Sequence, residues 1–569
     1  MSKAASLILL LSLCVVAHGQ SSTPSTSEPT TGTISGKVVN ESGQPMAGAS
    51  AFVRAVNSGV GGRTTVTDSE GNFSVSGLEP TLYTVAASAP AYMSISSDPT
   101  LPPTYYRIGD SVRLELVRGG VITGTVSNAA GEPIVAVRVR AIMVRNSKGM
   151  TPNLFTMAMS EQITDDRGVY RMYGFAPGTY VVSAGGFGIG QSFQFNPYES
   201  DVPTYSPSAT RDNAAEVSVR GGEETTADIR YRGEPGYSVS GTVKVSGPNG
   251  SQIMMLPAGS SVMSIANTFQ PPGGRGFAFH GVADGEYDLI AQEAAMSPGS
   301  MNALVSTSEP RRVIVKGASV SGIELIPKPL ATISGRLVLE ASKLPECAGK
   351  RPPLLAETVV HSRRHQKDAE KENSPFVRLF GGAATPEAKG EFTLRNVSPG
   401  RYQFEPRFFA RYWYLQSVTI ASTPAGTARP SKTDIAGVWT TVKRGEQLTN
   451  VTITLAEGAA SIRGRLVAAE MPSSAFVYLV PAETTKADDV LRFFVGEIGT
   501  DGIFVLNNLP PGKYWIVQAP ADDKTSTLTK LRQPEAATAR AKLRKTAEAQ
   551  KLEIELKPCQ NLADYELKQ

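Results

Sequence analysis

The stretch from Thr164 to Ala184, TDDRGVYRMYGFAPGTYVVSA, constrains this chain most, because its pattern occurs five times. The other copies are SEGNFSVSGLEPTLYTVAA from Ser69, GGRGFAFHGVADGEYDLIA from Gly273, AKGEFTLRNVSPGRYQFEP from Ala388 and TDGIFVLNNLPPGKYWIVQ from Thr500. Self-similarity of this kind marks one structural unit repeated along a chain. An aromatic opens each copy: Phe73, Tyr170, Phe277, Phe392 and Phe504. Two positions on stands Val75, Met172, Phe279, Leu394 or Leu506, and five positions on Leu78, Phe175, Val282, Val397 or Leu509. Ten positions on is always tyrosine, at Tyr83, Tyr180, Tyr287, Tyr402 and Tyr514, followed two later by an apolar or aromatic residue. Steps of two are strand periodicity. Pro-Gly or Asp-Gly between the halves of four copies is tight-turn punctuation. Each copy is therefore two short strands joined by a turn.

Each copy has an opening strand upstream: TISGKVV from Thr33, VITGTVS from Val121, SVSGTVK from Ser238, TISGRLV from Thr332 and SIRGRLV from Ser461. Each ends near an alternating closing strand: VRLELV, TADIRY, SGIELI, NVTITL and, in the fifth copy, KLEIEL from Lys551. Alternation buries one face and wets the other, as in an antiparallel sandwich. The 569 residues exceed one core and suit roughly four or five domains. The fold class expected is all-β, a tandem array of about five antiparallel β-sandwich domains with one short helix near the C-terminus. The divisions expected are 32–118, 119–234, 235–329, 330–458 with a charged insert, and 459–558 with a helical insert, then a C-terminal tail over 559–569. The gap from opening-strand glycine to first aromatic varies, from Gly241–Phe277 to Gly335–Phe392, and variation of this kind belongs in surface loops. The charged insert Ser362–Pro375 reads as such a loop. Glu535–Lys551, rich in Ala, Lys, Arg and Glu, reads as a helix with a solvated basic face.

The segments ISGKVVNESGQPMAGASAFV and TVTDSEGNFSVSGLEPTLYTVAASAPAY carry a specific likeness. They resemble the carboxypeptidase regulatory-like domain, the transthyretin-like sandwich attached to zinc carboxypeptidases, which is itself similar to Cna-B-type and starch-binding-like modules. ITGTVSNAAGEPIVAVRVRA with the second copy resembles it equally. The resemblance implies a prealbumin-like fold for the repeats and says little about function, since such modules serve many hosts.

The residues of an enzyme are scarce. The zinc motif His-x-x-Glu does not occur, and beyond the leader only His280, His361 and His365 remain. His361 and His365 are four apart with Arg363 and Arg364 between them, in a basic loop-like context unsuited to a metal. His280 lies between Phe279 and Gly281 on a strand and is expected to face solvent. No Gly-x-Ser-x-Gly elbow is present. Adjacent carboxylates such as Asp165 and Asp166 point to opposite faces of a strand. Asp68 and Asp165, each in Thr-Asp-x-x-Gly, read as turn caps, the alternative being calcium ligands. The protein is expected to be non-enzymatic and without a cofactor.

Residues 1–19 read as a signal peptide, with Lys3 before the apolar run Leu7–Ala17 and a small-residue cleavage site ending at Gly19, followed by a Ser/Thr/Pro leader over 20–31. The protein is thus expected in the periplasm, at the cell surface or secreted, with no membrane span. In an oxidising compartment Cys347 and Cys559 are expected to pair, the alternative being two free thiols. The net charge of +4 gives no reason to expect a nucleic-acid partner.

The binding candidate is the aromatic run FEPRFFARYWYLQSV, Phe404–Val418. Tyr412, Trp413 and Tyr414 could stack on sugar rings with Arg411 on hydroxyls, and the alternative is that alternate residues enter the core. Tyr105 and Tyr106 form a second exposed-looking pair. The functional expectation is an exported multi-domain binding protein of the bacterial envelope, with polysaccharide or an envelope protein as partner. The alternative is a structural spacer, scaffold or adhesion protein.

Overall fold

The computed structural model describes residues 31–568 apart from 57–61, 95–103, 148, 150–158, 187–196, 245–249, 259–265, 272, 275, 298–299, 370–381, 423–430, 468–474 and 521–524. The export signal and nearly all of the leader lie outside the described residues.

The chain is a tandem array of β-sandwiches, and one plan recurs in each. The opening strand is the centre of the first sheet: Gly32–Asn40, Gly120–Ser127, Tyr237–Val243, Ala331–Glu340 and Ala460–Val467. The aromatic strand pairs antiparallel on one side of it. The closing strand pairs on the other side, and there the pairing is parallel in every repeat. The tyrosine strand belongs to the second sheet, where it pairs antiparallel with a strand from the variable gap, such as Ser50–Ala55 in the first repeat and Phe476–Pro481 in the fifth. The gap therefore supplies strands as well as loops.

Three local devices fix this plan. The opening-strand glycine lies opposite the first aromatic in all five repeats, as Gly36 does opposite Phe73 and Gly464 opposite Phe504. At Gly36 a Cβ would fall 2.2 Å from the Val112 carbonyl and 2.6 Å from the Phe73 ring, so only glycine lets the ring lie across the strand. Four positions after the aromatic stands Gly77, Gly174, Gly281, Asn396 or Asn508, each with positive φ. The register slips beside each of these residues, a β-bulge held by the two residue types most tolerant of left-handed backbone. Third, the tenth-position tyrosine buries its ring and donates its hydroxyl to the carbonyl four residues earlier: Glu79, Ala176, Ala283, Ser398 and Pro510, at 2.7–2.9 Å. This ties the turn to the core in the manner of a tyrosine corner and explains why phenylalanine never stands there.

The aromatic and apolar skeleton positions fill the cores, with Phe504, Leu506, Leu509, Tyr514 and Ile516 all buried in the fifth. Asp68 and Asp165 cap their turns. The Asp68 carboxylate accepts from the Asn72 and Glu70 amides, and that of Asp165 from Val169 and Arg167. Those amide bonds hold both carboxyls below the usual aspartate range.

Three expectations are corrected in the last two repeats. The supposed tail contains Asn561–Lys568, which is the parallel closing strand of the fifth repeat. The segment expected to close that repeat, Glu553–Leu556, instead pairs with the tyrosine strand in the second sheet. Both segments alternate, and only the turn at Pro558–Gln560 carries the chain from one sheet to the other. The charged insert begins as a strand, Val359–Arg364, and a helical turn, Gln366–Ala369, with its remainder outside the described residues. The helix near the C-terminus is Ala537–Gln550. Its basic face is only partly solvated: Arg540 donates to the Leu531 and Gln533 carbonyls, and the Arg544 guanidinium lies 5.0 Å over the Trp515 ring.

Candidate functional site

The aromatic run forms the end of the strand Gly400–Arg407, a connection, and the strand Trp413–Ser422. Alternation sends Tyr402 and Phe404 into the fourth core. Trp413 joins them at 2% exposure, which corrects its assignment as a stacking platform: its faces are covered by the core it helps to fill. Tyr412 is half-buried with the Lys350 ammonium 4.6 Å over its ring, Tyr414 is half-buried with its hydroxyl pKa raised by desolvation, and Arg411 is exposed. The four residues do not form one accessible surface.

The sulfurs of Cys347 and Cys559 are joined, linking the fourth and fifth sandwiches with Cα atoms 5.4 Å apart. The same junction is closed by the bulge residue Asn508, which donates to the carbonyls of Ala410 and Trp413 at 2.9 and 2.7 Å. Gly281 plays a similar part in the third repeat, where a Cβ would fall 2.4 Å from the Asp201 carbonyl of the second.

The other face of the Gly400–Arg407 sheet was expected to be wet, and it is covered. His361, Arg363, Gln403, Glu405 and Arg407 lie along it, with His361 opposite Glu405 and Arg363 opposite Gln403. The fifth repeat covers one part: Arg363 donates to the Thr529 carbonyl, and Glu535 accepts from Trp439 Nε1 at 2.8 Å and contacts His365 Nε2 at 3.2 Å. The first repeat covers another. Tyr105 stacks on His361 with centroids 5.9 Å apart, and Thr81 Oγ1 donates to the Ala356 carbonyl at 3.0 Å. Arg107 lies 4.7 Å over the Phe409 ring and 3.9 Å from Glu357. Tyr105 is thus a domain contact. Tyr106 bridges to Tyr83 within its own repeat. His280 is exposed, and His361 and His365 each have their own partners.

A cavity of about 460 Å³ remains where the first, fourth and fifth sandwiches meet. Its walls include Tyr105, Glu405, Arg407, Phe408, Phe409, Phe494, Asn508 and Arg532. Burial, assisted by the Arg407 charge, pushes the His361 imidazole down to about 4, so it is neutral at ordinary pH. Burial also pulls the Arg532 guanidinium down to about 10. The arrangement can recognise shape and charge. It holds no nucleophile–base pair, and among the described residues no three metal-ligating side chains converge. The sequence signalled the aromatics of this seam but not their neighbours, because nothing local in Thr104–Arg107 or Leu528–Arg532 shows that they meet.

These features define a multi-domain β-sandwich protein with closed domain junctions. Residues 33–106 match the family model of the Carboxypeptidase regulatory-like domain. No curated protein matches the chain. Among solved structures, the chain is similar to the Bacillus anthracis TIE protein at 14% identity, over 52% of this chain and 50% of that one, with a TM-score of 0.13. It is similar to the shaft pilin SpaA from Lactobacillus rhamnosus GG at 10% identity, over 35% and 98% of the two chains, with a TM-score of 0.17. The minor pilin of Streptococcus agalactiae gives 12% identity, 35% and 96% coverage and a TM-score of 0.19. The match thus spans half the length of the TIE protein.

Proposed function

We propose that the protein is a non-enzymatic, exported scaffold of the bacterial envelope, an adhesion-type chain whose sandwiches are docked into one body. The observation that carries this is the contact of the first repeat on the fourth through Thr81, Tyr105 and Arg107, together with the covalent link between the fourth and fifth. Buried side chains at domain junctions fix relative positions, which suits a chain that presents surfaces at set distances. Among the described residues no helix is long and apolar enough to cross a membrane. Polysaccharide as partner has less support than a protein surface, because Trp413 is enclosed.

Small-angle scattering of the mature protein tests the docking. A profile matching the docked arrangement is expected, and the profile of an extended string of domains would sink the proposal. Cell fractionation tests export, which a purely cytoplasmic protein would refute. A glycan array tests the partner class: strong polysaccharide binding would overturn the preference for a protein surface.

A further inference from the structure

We infer that the cavity between the first, fourth and fifth sandwiches binds a small organic carboxylate carried on a ring. This goes beyond the scaffold reading and stands on the charge and chemistry of the walls. Arg407 and Arg532 line the cavity with one carboxylate, Glu405. A third guanidinium, Arg363, is close enough for its charge to be felt by both Glu405 and Arg407. Beyond the walls, Asp489 is paired with Arg492 and the Leu491 amide, while the Glu535 charge acts on Arg363. The cavity walls thus carry two guanidiniums against one carboxylate.

The donors are also underused. Among the described residues the Arg407 guanidinium has no hydrogen-bond or ion-pair partner. The buried Nε of Arg532 has no acceptor either. Buried donors left unpaired are costly, and a carboxylate satisfies guanidinium in a two-pronged geometry that a neutral hydroxyl cannot match. The remaining walls include four rings, Tyr105, Phe408, Phe409 and Phe494, the last with Arg532 stacked 5.0 Å over it. Such walls accept the face of a ring. The volume lies within the range of small-molecule sites, which starts at about 300 Å³.

Calorimetric titration of the full mature chain tests this with sodium benzoate and sodium glucuronate, each against its neutral counterpart, benzyl alcohol or glucose. At least one carboxylate is expected to bind, about tenfold or more tighter than its counterpart, and the benzoate and glucuronate arms separate an aromatic ligand from an acidic sugar. Arg407→Gln should weaken that binding about tenfold or more, while Lys545→Gln, on the exposed side of the last helix, should not. If Arg407→Gln does not fold, Arg407→Lys keeps the charge, loses the fork, and is expected to weaken binding about threefold. Silence from both carboxylates at millimolar concentration, equal binding of the neutral counterparts, equal binding of inorganic phosphate, or indifference to the Arg407 change would each overturn the inference.

Discussion

The first and fifth sandwiches share a skeleton and differ in what lies on the second sheet. In the first, Ser50–Ala55 alternates, and Phe52 on its outer side is 40% exposed. In the fifth, the equivalent strand Phe476–Pro481 is buried on both faces. Tyr478, Val480 and Val517 there form a second core with Phe493, Leu531 and Ala547. The skeleton positions make a sandwich wherever they occur, while the inserts between them decide whether its outer face meets water or another layer. Docking is thus written in the parts where the repeats differ.

The largest expected effect is that of the disulfide, which joins the fourth and fifth sandwiches directly. Cys347 and Cys559 are 212 residues apart, and closing a loop of that length is worth about 5 kcal/mol in the chain-entropy model. Replacing both with alanine should lower the calorimetric transition of the fourth and fifth sandwiches most, and that of the first by less. A uniform loss across all transitions would mean that the sandwiches melt as one unit.

Next, Gly36→Ala and Gly335→Ala introduce nearly the same clash, each Cβ falling 2.2 Å from a facing carbonyl and 2.6 or 2.7 Å from a ring. Each should cost about 3 kcal/mol in its own sandwich. Hydrogen exchange should show the Gly335→Ala loss spreading into the first and fifth sandwiches and the Gly36→Ala loss spreading less, because the fourth meets both the first and the fifth.

The seam should also respond to acid. The His361 pKa falls from 6.5 to about 4 in the docked chain. The unfolded chain therefore binds more protons across that interval. The stability that comes from burying a neutral His361 is whole above about pH 6.5 and declines as pH falls toward 4, by roughly 3 kcal/mol at most. Thermal midpoints between pH 7 and 4 should fall less steeply in His361→Asn than in the native protein. The smallest effect is that of the corner hydroxyl. Tyr83→Phe loses one bond, to Glu79, and should cost about 1 kcal/mol, whereas Tyr514→Phe also loses Arg492 and should cost about 2 kcal/mol by chemical denaturation.

The alternating skeleton made the sandwiches legible, since strand periodicity and turn residues are local signals. The corner bond of the tenth tyrosine was visible as a constant without a stated cause. The Gly or Asn at the bulge is equally constant in the sequence, and a left-handed residue inside a strand pattern is itself a signal. Trp413 could not be placed by sequence, because its position beyond the repeating pattern gives no register to say which face it takes. The seam was illegible for a different reason: Tyr105 and His361 are 256 residues apart, and no local preference records a meeting at that distance.

The parallel pairing of opening and closing strands has a mechanical consequence. A chain that leaves beside and parallel to its point of arrival exits at the far end of the module. Tension along the polypeptide therefore pulls these two strands past each other lengthwise, loading their rungs together instead of peeling them one at a time. The parallel pairing would let each sandwich pass force down the chain, and the longest such ladder among the described residues, Thr332–Glu340 against Gln447–Ala456, belongs to the fourth.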